Sequence, residues 1–241
     1  TEYSVSNQIR TKPGVYTRRR GNEDLEAAFN LSKGANFRVS MEPEKGHLNM
    51  EYGTTKIPLY PILRALGMPH QDVAHAWGAD VAAQNRDAFK SPDRYVDKLY
   101  GRVIHLSKQD HPTTESKIQA LHDYYGQTAM NPDVTKVTLG HAYDKVSPAS
   151  LLAASGKLLD VHRSATDTDD RDSLEFKTFH GVDDFLKERI ALDARSMRGK
   201  VGLKLDASKG MLRRALPTGL FTRSVNSLLT NSSLSAVPMQ I

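Results

Sequence analysis

"NFRVSMEPEKGHLNMEYGTTKIPLYPILRALG" (Asn36–Gly67) changes its periodicity partway along, and that change sets the fold class. Phe37, Val39 and Met41 alternate with Arg38 and Ser40, and Leu48 and Met50 alternate with Asn49 and Glu51. Apolar residues at every second position line one face of a strand. Lys45-Gly46, between the two runs, predicts a hairpin turn. From Leu59 the spacing shifts, and Leu59, Ile62, Leu63 and Leu66 share one face of a helix. Gly67 and then Pro69 predict where that helix stops. Strands that run directly into helices predict an α+β protein, with mixed helices and short antiparallel sheets.

Upstream, "SVSNQIRTKPGVYTRRRG" reads as a strand, a Pro13-Gly14 turn with glycine at positive φ, and a second short strand. Downstream, a helix is expected from Gln71 to Phe89, with Val73, Ala76, Trp77 and Val81 turned inward. Ser91-Pro92 starts the next, because serine caps and proline tolerates the first helical position. Thr113 or Thr114 starts a fourth, ending near Gly126. Ser147-Pro148 starts a fifth, with Leu151, Leu152, Leu158 and Leu159 as its apolar stripe. In "VDDFLKERIALDARSMRGKVGLKL" the stripe is Phe185, Leu186, Ile190, Met197 and Val201, and Asp183 and Asp184 favour the first turn through the helix dipole.

The chain has 241 residues, 25% charged and 39% apolar, as an ordinary soluble protein does. No apolar run approaches the roughly 18 residues that span a bilayer. The absence of cysteine excludes disulfides and thiolate metal sites and fits a cytoplasmic protein. The chain opens on Thr1 and ends on "AVPMQI", which reads as a piece of something longer. The net charge is +5, and the basic residues gather at Arg18 to Arg20 and in the last quarter. An excess of this sign attracts polyanions.

Four aspartates, Asp167, Asp169, Asp170 and Asp172, crowd one short stretch. A calcium loop is excluded, since Arg171 stands where an oxygen ligand is needed and no glycine follows. Two readings remain: a two-metal catalytic site, or a solvated loop that caps itself before a helix. The nine histidines form no HExxH pair, and no GxGxxG, GxxxxGK[ST] or GxSxG is present. The basic helix and the hydroxyl-rich tail suit phosphate contacts, with Arg195, Arg198, Lys200, Arg213 and Arg214 as candidates.

Four stretches, in order, resemble the β (second-largest) subunit of multisubunit DNA-dependent RNA polymerases. Ser6–Tyr16 resembles the family's SQLHRSPGVFF segment at Gln8, Arg10, Pro13, Gly14 and Val15. The strand pair and helix from Ala35 to Met68 resemble the lobe and its KLPATIILRALG-like helix. "TDDRDSLEFKTFHGVDDFL" resembles the DDIDHLGNRR loop, although Ser173 to Lys177 replace its His-Leu-Gly-Asn-Arg. "SVNSLLTNSSLSAVPMQI" resembles the fork segment, best at Asn231, Ser233, Leu234 and Ser235. The short lobe and the altered loop are similar to the split polymerase subunits of large bacteriophages.

The resemblance implies a protrusion strand segment at residues 1–20, a lobe-like domain at 21–165, a protrusion return with a basic helix at 166–215 and the start of the fork at 216–241. It implies nucleotidyl transfer in an assembled polymerase of the cytoplasm (the host's, for a phage protein). The Mg2+ ions are held by the largest, β′-type subunit, and this chain supplies no catalytic residue, cofactor or metal ligand. Its partners would be that subunit, the remaining β portion, DNA template and RNA, and a specificity factor. The lobe would touch DNA through phosphates. Arg223, Asn226, Ser227, Asn231, Ser232 and Ser235 would face nucleic acid. The loop Asp169, Asp170, Arg171 and Asp172 would be structural, with Arg171 paired to its neighbouring carboxylates. The rival readings are a stand-alone nucleic-acid-binding regulator and a metal-dependent nuclease that uses Asp167 to Asp172.

Overall fold

The computed structural model describes residues 4–5, 8–21, 23–89, 91–104, 113–207, 219, 221–230 and 235–236. Within them the protein is a mixed α+β structure with short antiparallel sheets. The chain divides into two units. Lys12–Phe176 forms an inserted unit, and Thr1–Thr11 with Lys177–Ile241 forms an outer one. Segments 12–20 and 166–176, which the sequence grouped with the outer part, fall in the inserted unit.

The inserted unit is built on a five-stranded meander: β3 (Gly14–Arg19), β4 (Leu25–Asn30), β5 (Phe37–Glu42), β6 (His47–Tyr52) and β7 (Thr55–Pro58). Registers such as Ala27 with Val39 and Val39 with Met50 place the apolar alternates of neighbouring strands on one face. Seven helices follow: α1 (Leu59–Ala65), α2 (His70–Trp77), α3 (Ala79–Ala88), α4 (Pro92–Val103), α5 (Thr114–Gly126), α6 (Pro132–Leu139) and α7 (Pro148–His162). Helices α7, α1 and α3 pack on the sheet. Leu25, Phe29, Val39, Met50, Trp77, Leu99, Leu151 and Leu158 are among the fully buried side chains of this core. Each contributes roughly 2 kcal/mol by leaving water, so the inserted unit has an apolar core of its own. Trp77 satisfies its indole N–H by donating to Ser155 Oγ at 2.8 Å.

Two expectations are corrected. Strands flank Pro13-Gly14 as expected, but Gly14 does not take a positive φ: it opens extended β3, which pairs with β4, while the strand before it, Gln8–Thr11, pairs elsewhere. Glycine is required there because a Cβ would collide with Val134 of α6. The helix expected from Gln71 to Phe89 is two helices, broken at Gly78, whose φ of 90° costs little only without a Cβ. Arg163 Nη2 donates to the Trp77 carbonyl at that break, over 2.8 Å.

The outer unit carries β1 (Ser4–Val5), β2 (Gln8–Thr11), β8 (Lys177–His180), α8 (Val182–Ala207), α9 (Thr222–Thr230) and β9 (Ser235–Ala236). The pairs are antiparallel: β1 with β9, and β2 with β8. Among its described residues, Phe185 is the fully buried apolar side chain.

Candidate nucleic-acid interface

Helix α8 starts where Asp184 Oδ2 accepts the Gly181 N–H at 3.2 Å, which satisfies one of the amides a helix leaves unpaired. Its first turns are seated on the β2–β8 ribbon. Phe185 is buried beside the His180 ring and under the Arg10 guanidinium, 5.6 Å from its centroid. Arg10 also pairs with Glu188 at 3.2 Å. Of the expected stripe, Phe185 is fully buried, while Leu186, Ile190, Met197 and Val201 are half-buried.

Helix α9 packs on α8. Ser224 is fully buried, and its Oγ donates to Asp193 Oδ2 at 2.7 Å. Arg189 Nε lies 3.4 Å from the same carboxylate. The Ser224 hydrogen bond, helped by the charges of Arg189 and Arg223, outweighs the opposing effect of burial and holds the Asp193 carboxyl below its usual range. With Ser224 turned inward, residues three and four apart on α9, at 223, 226 and 227, share another face. Arg223 and Asn226 are exposed there.

On α8, positions 195 and 198 are neighbours on one face, and Arg198 is exposed. Lys200 is exposed too, but two residues on from Arg198 it is more than half a turn round the helix. The expected phosphate candidates therefore do not form a single row. Ser235 lies in β9, its backbone paired with Val5. Arg213, Arg214, Asn231 and Ser232 lie outside the described residues.

The acidic loop is fastened from within the inserted unit. Asp169 Oδ1 pairs with Lys157 Nζ at 2.6 Å, and Oδ2 accepts the Thr17 N–H at 2.7 Å. Thr17 in turn accepts the Asp169 N–H at 2.9 Å. The expected partner, Arg171, is exposed and has no ion pair among the described residues; the cation comes from α7 instead. Asp170 Oδ1 accepts the Asp172 N–H at 3.0 Å, a self-capping turn. Asp167, Asp170 and Asp172 are exposed, and among the described residues no three histidine or acidic groups converge. Both Asp169 oxygens are thus engaged within the protein. Nearby, Tyr16 donates to the Lys12 carbonyl at 2.8 Å. Burial and then the Asp169 charge push its phenol up to about 12.

Lys157 is the residue the sequence did not single out. A lysine beside the apolar stripe of a helix was the available signal, but which acid it meets is a tertiary fact. Among the described residues, no helix is long and apolar enough to cross a membrane. No protein-family model matches the chain. No curated protein matches it.

Proposed function

We propose that the chain is part of a β-type subunit of a multisubunit DNA-directed RNA polymerase. It walls the nucleic-acid passage, and the catalytic Mg2+ ions are gripped by the largest subunit. In that assembly a 3′-hydroxyl attacks the α-phosphate of a nucleoside triphosphate, and the ions stabilise the attacking and leaving oxygens. The chain's own contribution is to position: Arg223 and Asn226 on α9 bond sugar and phosphate without reading bases.

One observation carries the reading. Of the four stretches that resemble the family, the first contains β2 and the third contains β8, and these pair over Gln8 to Thr11 and Lys177 to His180. The fourth contains β9, which pairs with β1 near the start of the chain. A protrusion that the chain leaves and re-enters, with a lobe inserted between, calls for such returns.

The test is purification of the tagged chain from its native source. The expected result is co-purification with a polypeptide carrying an Asp-Phe-Asp-Gly-Asp motif, in a complex that extends RNA on a DNA template. A photo-reactive group at position 223 should then cross-link to nucleic acid in the stalled complex. Recovery of the chain alone as a salt-sensitive DNA binder would support the regulator reading instead. Nucleic-acid cleavage by the pure chain, lost in Asp170→Ala, would support the nuclease.

A further inference from the structure

The sheet of the inserted unit has a second face. Because Leu25, Ala27 and Phe29 of β4 turn to the core, Glu26 and Ala28 turn away from it. Arg38 and Ser40 of β5 and Glu51 of β6 do the same. Glu26 is fully buried on this face, and Glu51 nearly so. Arg18 Nε and Arg20 Nε each donate to one oxygen of Glu26, and Arg38 Nε stands 3.8 Å away. Glu51 accepts from Ser40 Oγ at 2.7 Å and from Arg20 Nη2 at 2.9 Å, with Lys56 Nζ at 3.5 Å. Four cations thus surround two carboxylates. Lys56 also pairs with Glu42 at 3.3 Å, so the four cations answer three carboxylates, two of which would be costly to bury unpaired, and one charge remains in excess.

Three of these cations are half exposed: Arg18 at 46%, Arg38 at 50%, and Lys56 at 51%, the last spent on Glu42 and Glu51. Arg18 spends Nε alone. Arg38 makes only its long contact to Glu26. Among the described residues, the Nη groups of both are therefore open. A guanidinium held from behind, with its outer edge turned to water, is a preorganised fork for phosphate oxygens. Beside Arg38 a cleft of about 130 Å³ opens over Ala28, lined also by Asn30 and Asn36. Glu51 lines it too, but its oxygens are taken. Glu23, Asp24, Glu42 and Glu44 line a separate cleft with Lys45 and Lys56, which confines an anion to the Arg18 and Arg38 side.

We propose that this face binds the phosphates of a nucleic-acid backbone through Arg18 and Arg38. The two forks come from strands two apart and converge on the Glu26 carboxylate, Arg18 by its hydrogen bond and Arg38 at 3.8 Å, so their open edges lie close enough to grip one phosphate or two successive ones. The inference rests on the inserted unit alone and does not use the polymerase reading.

The test is fluorescence anisotropy of the full chain with a short labelled single-stranded DNA over a salt series. Replacing Arg18 and Arg38 together by glutamine should reduce the slope of log affinity against log salt by about two. An unchanged slope in a folded double variant would overturn the proposal. So would poly-glutamate competing as well as DNA at equal charge, or inorganic phosphate shifting the two arginine Nε–H NMR signals when DNA does not. If the double variant fails to fold, those signals in the wild-type chain decide. Movement of the Arg18 and Arg38 signals on adding DNA supports the site, and stationary signals overturn it.

Discussion

Asp169 and Asp170 are adjacent and chemically alike, yet they do different work. Asp169 joins the acidic loop to β3 and α7 through Thr17 and Lys157, whereas Asp170 only turns the chain at the surface. Asp169→Ala would leave Lys157, 15% exposed, with the Thr138 carbonyl as its remaining partner. The expected cost is about 3 kcal/mol. Asp170→Ala should stay within about 0.5 kcal/mol of wild type. Urea unfolding of the two variants checks the pair, and equal midpoints would refute the distinction. In the sequence these residues are one run of like charges. Nothing in that run says which member meets a lysine twelve residues upstream, because the meeting depends on how α7 lies along the sheet.

At the scale of elements, the β5–β6 hairpin and most of the helices were legible, since their apolar residues recur at the periods of 2 and 3.6 that a buried face imposes. Strand β4 was not. "LEAAFN" is rich in helix formers, and only its place between β3 and β5 makes it extended. Helix α6 hid behind β-branched residues, although Asn131 caps it and Pro132 follows. Its contact with β3 yields a sharp expectation. Gly14→Ala should destabilise the protein by about 1–3 kcal/mol, because the new methyl meets Val134. Val134→Ala in the same chain should recover much of that loss, and thermal melts of the single and double variants measure the coupling. Additive losses would rule the contact out. At the candidate interface, the sequence made the basic character of α8 plain. Arg198 and Lys200 nonetheless look to different sides, as residues two apart on a helix must.

At the scale of the whole molecule, the buried Glu51 carboxylate contributes a pH dependence. Burial pushes the Glu51 carboxyl up, but the Ser40 and Arg20 hydrogen bonds and the charges of Arg20 and Lys56 outweigh this and hold it below its ordinary 4.5. A depressed folded-state value stabilises the protein above the unfolded value and ceases to do so as acid is added. The melting temperature should therefore hold near neutrality and fall below about pH 4.5. Glu51→Gln should shallow that fall, and a melt series in acid that is unchanged by the substitution would exclude this source. The way the chain enters and leaves its inserted unit has a further consequence. Thr11 and Lys177 face each other across the β2–β8 ribbon, and the Lys12 N–H donates to the Phe176 carbonyl at 2.7 Å. The chain thus enters and leaves the insertion along one antiparallel strand pair. A genetic engineer could cut it there, seal the ribbon with an Asn-Gly turn, and graft the excised cassette onto any hairpin of a different scaffold.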